Sequence, residues 1–132
     1  MRRLSGSLPL LAVALWMIAL ALPASAAELV MFEQQGCEWC QAWHSQIGPI
    51  YPKTAEGQRA PLRRIDIFEP MPDDLKHIPP GHFTPTFVLL ENGLEIGRIR
   101  GYPGEDFFWG LLGEMIEKLD NAGGSNESPG GA

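Results

Sequence analysis

The stretch GCEWCQAW, residues 36–43, carries both cysteines of the chain, Cys37 and Cys40, with Glu38 and Trp39 between them. A C-x-x-C pair can serve as a staple, a metal clamp or a redox couple. A bridge between residues so close in sequence restricts the unfolded chain little, which argues against a purely structural staple. A c-type haem site needs histidine directly after the second cysteine, and Gln41 stands there. A closed zinc site takes four ligands. Cys37, Cys40 and His44 supply three at most, and His77 and His82 are distant in sequence, where they flank Pro79-Pro80-Gly81 as ordinary loop histidines. A redox pair and a copper or zinc carrier using the two thiols both stay open at this point.

Working outward from the pair, residues 28–33 (ELVMFE) form a short apolar run that reads as a strand. Gln34-Gln35-Gly36 is a turn signal, and a helix is expected to start near Cys37. Cys40, Trp43 and Ile47 keep helical spacing toward a core, while Gln41, His44, Ser45 and Gln46 are expected to face outward. Gly48-Pro49 interrupts this helix, and a second helical piece is expected from Ile50 to about Glu56. Residues 61–67 (PLRRIDI) read as a second strand. The long proline-rich connection 69–83 has room for one helical turn after Pro72, and loops of this length in small domains are often functional. Residues 86–90 (TFVLL) are the clearest strand, Glu91-Asn92-Gly93 is a hairpin turn, and residues 94–100 return. A last helix is expected over 105–119, with Phe107, Phe108, Leu111, Leu112, Met115, Ile116 and Leu119 as one continuous apolar face and Trp109 at its edge. The order β-α-β, β-hairpin, α predicts an α/β fold: a four-stranded mixed sheet flanked by helices.

The ends of the chain differ from this middle. Arg2 and Arg3 precede an apolar run of 15 residues, 8–22, and then Pro23-Ala24-Ser25-Ala26. That pattern predicts a signal peptide, residues 1–26, cleaved after Ala26; the run is shorter than the ~20 residues needed to span a bilayer. Export places the cysteines in an oxidising compartment, expected to be the periplasm. Residues 27–120 are expected to form one domain, and the polar Gly/Ser-rich stretch 121–132 to be a disordered tail. Without the leader, eight basic residues face sixteen acidic ones, a net charge of −8. Such a charge excludes nucleic-acid binding, which needs basic patches.

The thiolate, not the thiol, attacks disulfides. At a helix start Cys37 would receive backbone N–H groups and the positive end of the helix dipole, both of which lower its pKa. Cys40, one turn later, could then resolve the mixed disulfide. Trp39 is expected to contact a partner beside the cysteines, and Trp43 to lie in the core. Thr84-Pro85 precedes the strand that would run beside the first one, which brings Pro85 near the cysteines. There it could shape a groove in which the Thr84 backbone pairs with an extended peptide.

Strand, GCEWC, helix, strand, Thr84-Pro85-Thr86 with its strand, the ENG turn, strand and amphipathic helix together resemble the thioredoxin superfamily over roughly residues 28–119. More narrowly, ELVMFEQQGCEWCQAW, IGPIYPKT, PLRRIDI, FTPTFVLLENG and GRIRGYPGEDFFWGLL resemble the periplasmic thioredoxin-like SoxS proteins of bacterial sulfur oxidation. The resemblance implies a cis Pro85, Cys37 as nucleophile and Cys40 as resolving thiol. It implies a thiol-disulfide oxidoreductase without cofactor that reduces an oxidised or thiol-blocked protein, the Sox sulfur-carrier protein, with electrons from a membrane thiol transporter. A role in cytochrome c maturation or general periplasmic disulfide exchange is the neighbouring alternative. Three features depart from ordinary thioredoxin. Glu38-Trp39 replaces Gly-Pro, no amino-terminal strand and helix are expected because the expected signal peptide runs almost directly into the first strand, and Met31, six residues before Cys37, stands where thioredoxin has a buried aspartate. Glu33 could replace that aspartate as proton acceptor for Cys40 only if its side chain points inward.

Overall fold

The first strand, β1 (Ala27–Glu33), pairs in parallel with β2 (Leu62–Asp66) and antiparallel with β3 (Thr86–Glu91), which pairs antiparallel with β4 (Leu94–Arg100). The sheet order is β2-β1-β3-β4. These pairings come from a computed structural model, which describes residues 26–124. The expected signal peptide, apart from Ala26, and residues 125–132 of the expected tail lie outside the described residues. The fold class is the expected one, a four-stranded mixed sheet with helices.

Strand β1 is bonded on both edges and covered on both faces, which explains its unbroken apolar sequence. Leu29, Val30, Met31 and Phe32 are all fully buried. Alternate residues feed two separate cores. Leu29 and Met31 join Phe87 and Leu89 of β3 beneath the helices α1 (Glu38–Gln46) and α3 (Glu105–Gly124). Val30 and Phe32 join Ile65, Val88 and Leu90 on the other face. That second face is covered by the long proline-rich connection, through Leu75 in a 3-10 turn (Asp73–Leu75) and Ile78. The loop suspected of function therefore has a packing role. Polar bonds pin it: Arg63 holds Asp74 at 2.6 Å, His77 Nε2 meets the Gly93 carbonyl at 2.7 Å, and Arg98 donates to the Pro79 carbonyl. The Arg63 hydrogen bond keeps the Asp74 carboxyl below its ordinary range.

The helices correct the sequence reading in three places. Between Gly48-Pro49 and β2 the chain makes a 3-10 turn (Tyr51–Lys53) and then a short helix, α2 (Ala55–Arg59), rather than one helical piece over 50–56. Pro52 and the Thr54 cap explain the break: Thr54 is extended and its hydroxyl accepts from the Gly57 N–H, so a new helix has to start there. Helix α3 continues past Leu119 to Gly124, into the segment expected to be tail. Its buried stripe is Phe108, Leu112, Met115 and Leu119, whereas Phe107 is 71% exposed and Leu111 39% exposed. One sheet face accepts a narrow stripe, so an apolar arc as wide as Phe107 to Leu119 cannot all be buried. The hairpin turn is as expected, with positive φ at Asn92 (50°) and Gly93 (78°). No helix among the described residues is long and apolar enough to cross a membrane.

Tyr51 locks α2 to the rest of the fold. Its buried hydroxyl donates to the Ala60 carbonyl at 2.7 Å, and its ring stacks on Trp109. Burial, helped by the charge of Glu56, pushes the phenol well above its ordinary value of 10. The unfolded chain loses this proton near pH 10 and the folded one does not. The stabilisation is therefore complete below pH ~10 and falls as pH rises above it. Tyr51→Phe should cost about 1 kcal/mol at neutral pH, because the Ala60 carbonyl loses its partner. It should also flatten the alkaline loss of stability, as read by urea unfolding between pH 7 and 11; a steeper alkaline loss than in the parent protein would contradict this account.

Candidate active site

The turn from β1 to α1 places the cysteine pair. Gly36 adopts a φ of 72°, a left-handed conformation that suits glycine, and so reverses the chain immediately after the central strand. Cys37 then caps α1: it is extended (φ −80°, ψ 105°), and its Sγ accepts the Cys40 backbone N–H at 3.1 Å. Cys37 and Cys40 are joined in a disulfide, with Cα atoms 5.2 Å apart. Both are buried, Cys40 the more deeply. The first cysteine thus meets the donor end of the helix, where negative charge on sulfur is favoured. Glu38, in the same first turn, is exposed.

Two depressions lie around the pair. The first, about 390 Å³, is lined by Trp39, Phe83, Thr84, Arg100, Gly101, Tyr102 and Pro103. Trp39 is 61% and Phe83 64% exposed, so two large apolar side chains stand in solvent at its rim. Thr84 is half-buried and Pro85 buried, and the Thr84–Pro85 peptide is cis, as the resemblance implied. The Pro85 carbonyl accepts the Gly101 N–H at 2.7 Å, which ties this corner to the end of β4. Tyr102 donates to Gln46 Oε1 at 2.6 Å and so joins the far rim to the end of α1. Burial, with a smaller contribution from Glu105, raises the Tyr102 phenol above its ordinary value, so it remains a neutral donor.

The second depression, a cleft of about 500 Å³, lies against the cysteines themselves and includes Glu33, Cys37, Cys40, His44 and Arg64. Here the sequence reading needs correction. His44 does not simply face solvent: its Nε2 lies 2.5 Å from Glu33 Oε2, and Arg64 Nε donates to Glu33 Oε1 at 2.6 Å. Glu33 does point toward α1, on the side of Leu29 and Met31. The period of two along β1 carries that information once Leu29 is known to be in the core. Met31 itself is fully buried among apolar neighbours.

Trp43 is in the core, its ring 5.2 Å from Phe87 and 5.7 Å from Phe108. The loop at Tyr102-Pro103-Gly104 was readable as a possible rim of the redox site, but Phe83 and Arg100 were not, because the β3–β4 pairing is what brings them beside it. Neither His77 nor His82 lines the cleft beside the cysteines. Among the described residues no group of three or more His, Cys, Asp and Glu side chains is placed to hold a metal ion.

A disulfide at the amino terminus of the helix that follows a central strand, a cis proline opening the next strand, a hairpin and a packed final helix define a thioredoxin-type thiol-disulfide oxidoreductase. Comparison with solved structures narrows this class. The chain is 47% identical to the periplasmic thioredoxin SoxS of Paracoccus pantotrophus, in its reduced form, with a TM-score of 0.66 over 70% of this chain and 98% of that one. The chain therefore belongs to the thioredoxin superfamily, among its SoxS-like members. The thioredoxins of Malassezia sympodialis (20% identity, TM-score 0.52, 69% of this chain and 76% of that one) and Fasciola hepatica (19%, 0.54, 70% and 84%) share the fold. No protein-family model and no curated protein sequence matches the chain.

The exposure of Trp39 and the burial of Trp43 generate a paired prediction. Trp39→Ala should change stability by no more than about 0.5 kcal/mol, as for a surface residue. Trp43→Ala should cost about 3–5 kcal/mol. Guanidinium unfolding of both variants checks the pair, and a large loss in Trp39→Ala would show that this side chain packs rather than waits for a partner.

Proposed function

We propose that the protein is an exported, periplasmic thiol reductant that restores a blocked or oxidised cysteine on a partner protein of the Sox sulfur-oxidation system. The observation that carries this reading is the position of Cys37 Sγ at the α1 amino terminus, in a chain 47% identical to a periplasmic SoxS. The Cys37 thiolate attacks the partner's disulfide sulfur, the partner's S–S bond breaks, and a mixed disulfide forms. Cys40 then attacks Cys37 Sγ. The Cys37–partner bond breaks, the partner leaves as a thiol, and the protein ends as its Cys37–Cys40 disulfide. Two electrons have passed to the partner. Renewal requires a dithiol donor, for which a membrane thiol-electron transporter is the fitting class.

The apolar groove supports a protein substrate rather than a small thiol. Trp39 and Phe83 offer apolar contact area, and the Thr84 backbone, two residues before β3 begins at Thr86, would pair with an extended segment alongside Pro85. The lack of histidine between the cysteines supports the reducing direction, and Glu38 there adds negative charge that disfavours the thiolate.

Cys40→Ser tests the assignment. This variant should hold its partner as a mixed disulfide through Cys37 when expressed in cells that oxidise sulfur compounds, and mass spectrometry should find a Sox sulfur-carrier protein in the adduct. Capture of cytochrome c maturation components instead would move the protein to that pathway. Adducts formed through Cys40 in a Cys37→Ser variant, and none in Cys40→Ser, would reverse the roles of the two cysteines.

A further inference from the structure

The resolving step needs Cys40 as a thiolate, yet Cys40 is almost fully buried, and Met31 in the same buried cluster can accept no proton. A proton must therefore leave Cys40 by another route. The cleft beside the disulfide supplies one. His44 lies one turn after Cys40 on α1, so the two share a helix side, and both line this cleft. The His44 ring is fixed through Nε2 by Glu33, and Glu33 is fixed through its other oxygen by Arg64. Glu33 is the most buried of the three, its side chain 13% exposed against 30% for His44 and 60% for Arg64. Nδ1 of His44 makes no hydrogen bond among the described residues.

We propose that His44 is the proton acceptor for Cys40 in the resolving step, held in orientation by Glu33, which Arg64 holds in turn. With Glu33 ionised, the His44 Nε2–H donates to it, and that tautomer leaves Nδ1 as the basic atom. A carboxylate that orients an imidazole, which in turn deprotonates a nucleophile, is a recurrent arrangement for activating weak nucleophiles. The proton passes from the Cys40 thiol to Nδ1, directly or over one water in the cleft. The Cys40 thiolate then attacks Cys37 Sγ, and the departing partner thiolate takes the proton back from the imidazolium. His44 is the catalytic group here; Glu33 and Arg64 are positioning residues. Titratable or charged side chains reach the cleft from three elements: Glu33 from β1, His44 from α1, and Arg64 and Asp66 from β2. Arg64 is engaged by Glu33, and Asp66 accepts the Phe68 N–H.

The inference rests on Cys37 as attacker and Cys40 as resolver, and its test separates the two claims. Reduced protein in excess over 5,5′-dithiobis(2-nitrobenzoate) releases one coloured thiolate when Cys37 attacks and a second when Cys40 resolves. His44→Gln should leave the first release within about twofold of the parent but slow the second, concentration-independent release by at least ~10-fold, the low side of general-base effects. Glu33→Gln and Arg64→Met should slow the same phase by smaller factors. In His44→Gln the second phase should need higher pH to reach its full rate, because only the intrinsic ionisation of Cys40 then drives it; in Glu33→Gln and Arg64→Met, which keep the imidazole, that displacement should be smaller. Added imidazole should restore the second phase in His44→Ala. An unchanged second phase in His44→Gln overturns the inference and leaves the cysteine roles intact, as does equal slowing of both phases. A first release that survives in Cys37→Ser and vanishes in Cys40→Ser overturns both claims. Arg64 is largely exposed, so Arg64→Met should remain folded even where a change at Glu33 does not.

Discussion

The double pairing of β1 is the constraint on which the rest of the structure depends. A strand bonded to β2 on one edge and β3 on the other, with fully buried residues on both faces, has one register and one direction. Everything near the cysteines is measured from its carboxyl end. The Gly36 reversal carries the chain from there into the α1 cap. Pairing of Phe32 with Thr86 brings Thr84-Pro85 to the same end of the sheet, and pairing of Thr86 with Arg100 adds the wall that continues to Tyr102. Pairing of Glu33 with Asp66 and of Met31 with Arg64 carries the charged side of the cleft. A slip of one residue in β1 would turn Glu33 away from α1 and Phe32 toward it. The site is in this sense a product of strand register more than of any local motif.

Much of this frame was legible in the sequence because it rests on short-range signals. TFVLL, ENG and the C-x-x-C helix start each carry their own chemistry, and these elements lie where their patterns put them. What failed was long-range. The width of the apolar arc on α3 overstated its buried face, since Phe107 and Leu111 have no layer to pack on. The packing role of the proline-rich loop was not legible, because nothing local says that Leu75 and Ile78 cover Val30, Phe32 and Val88, while Phe83 at its end lines the apolar groove. His44 read as a surface residue because helical spacing places it beside Gln41 and Ser45. Its partner Glu33 lies eleven residues earlier on a different element, and only the packing of α1 on β1 joins them. The side-chain direction of Glu33 was recoverable from alternation with Leu29 and Met31, had one face been fixed first.

In the proposed reaction the two depressions have different parts. The apolar side, with Trp39 and Phe83 exposed and Arg100 at its edge, is suited to holding a polypeptide beside Cys37. The polar side, with Glu33, His44 and Arg64, is suited to moving a proton beside Cys40. The disulfide lies at the polar side while Trp39, between its two cysteines in sequence, reaches the apolar one. With methionine buried in β1 near the pair, the proposed proton route for Cys40 runs through this cleft instead.

The direction of electron flow is the central claim, and the midpoint potential of the Cys37–Cys40 couple tests it most directly. Helix-end stabilisation of a Cys37 thiolate favours the reduced form and so makes the couple more oxidising, whereas Glu38 opposes that stabilisation, and a reductant requires that the net effect leave the couple reducing. Equilibration of the purified protein against dithiothreitol or glutathione buffers, followed by alkylation of the free thiols, gives the value. The account predicts a potential near that of thioredoxin, about −270 mV, and a value near −120 mV, typical of strongly oxidising dithiol proteins, would contradict it.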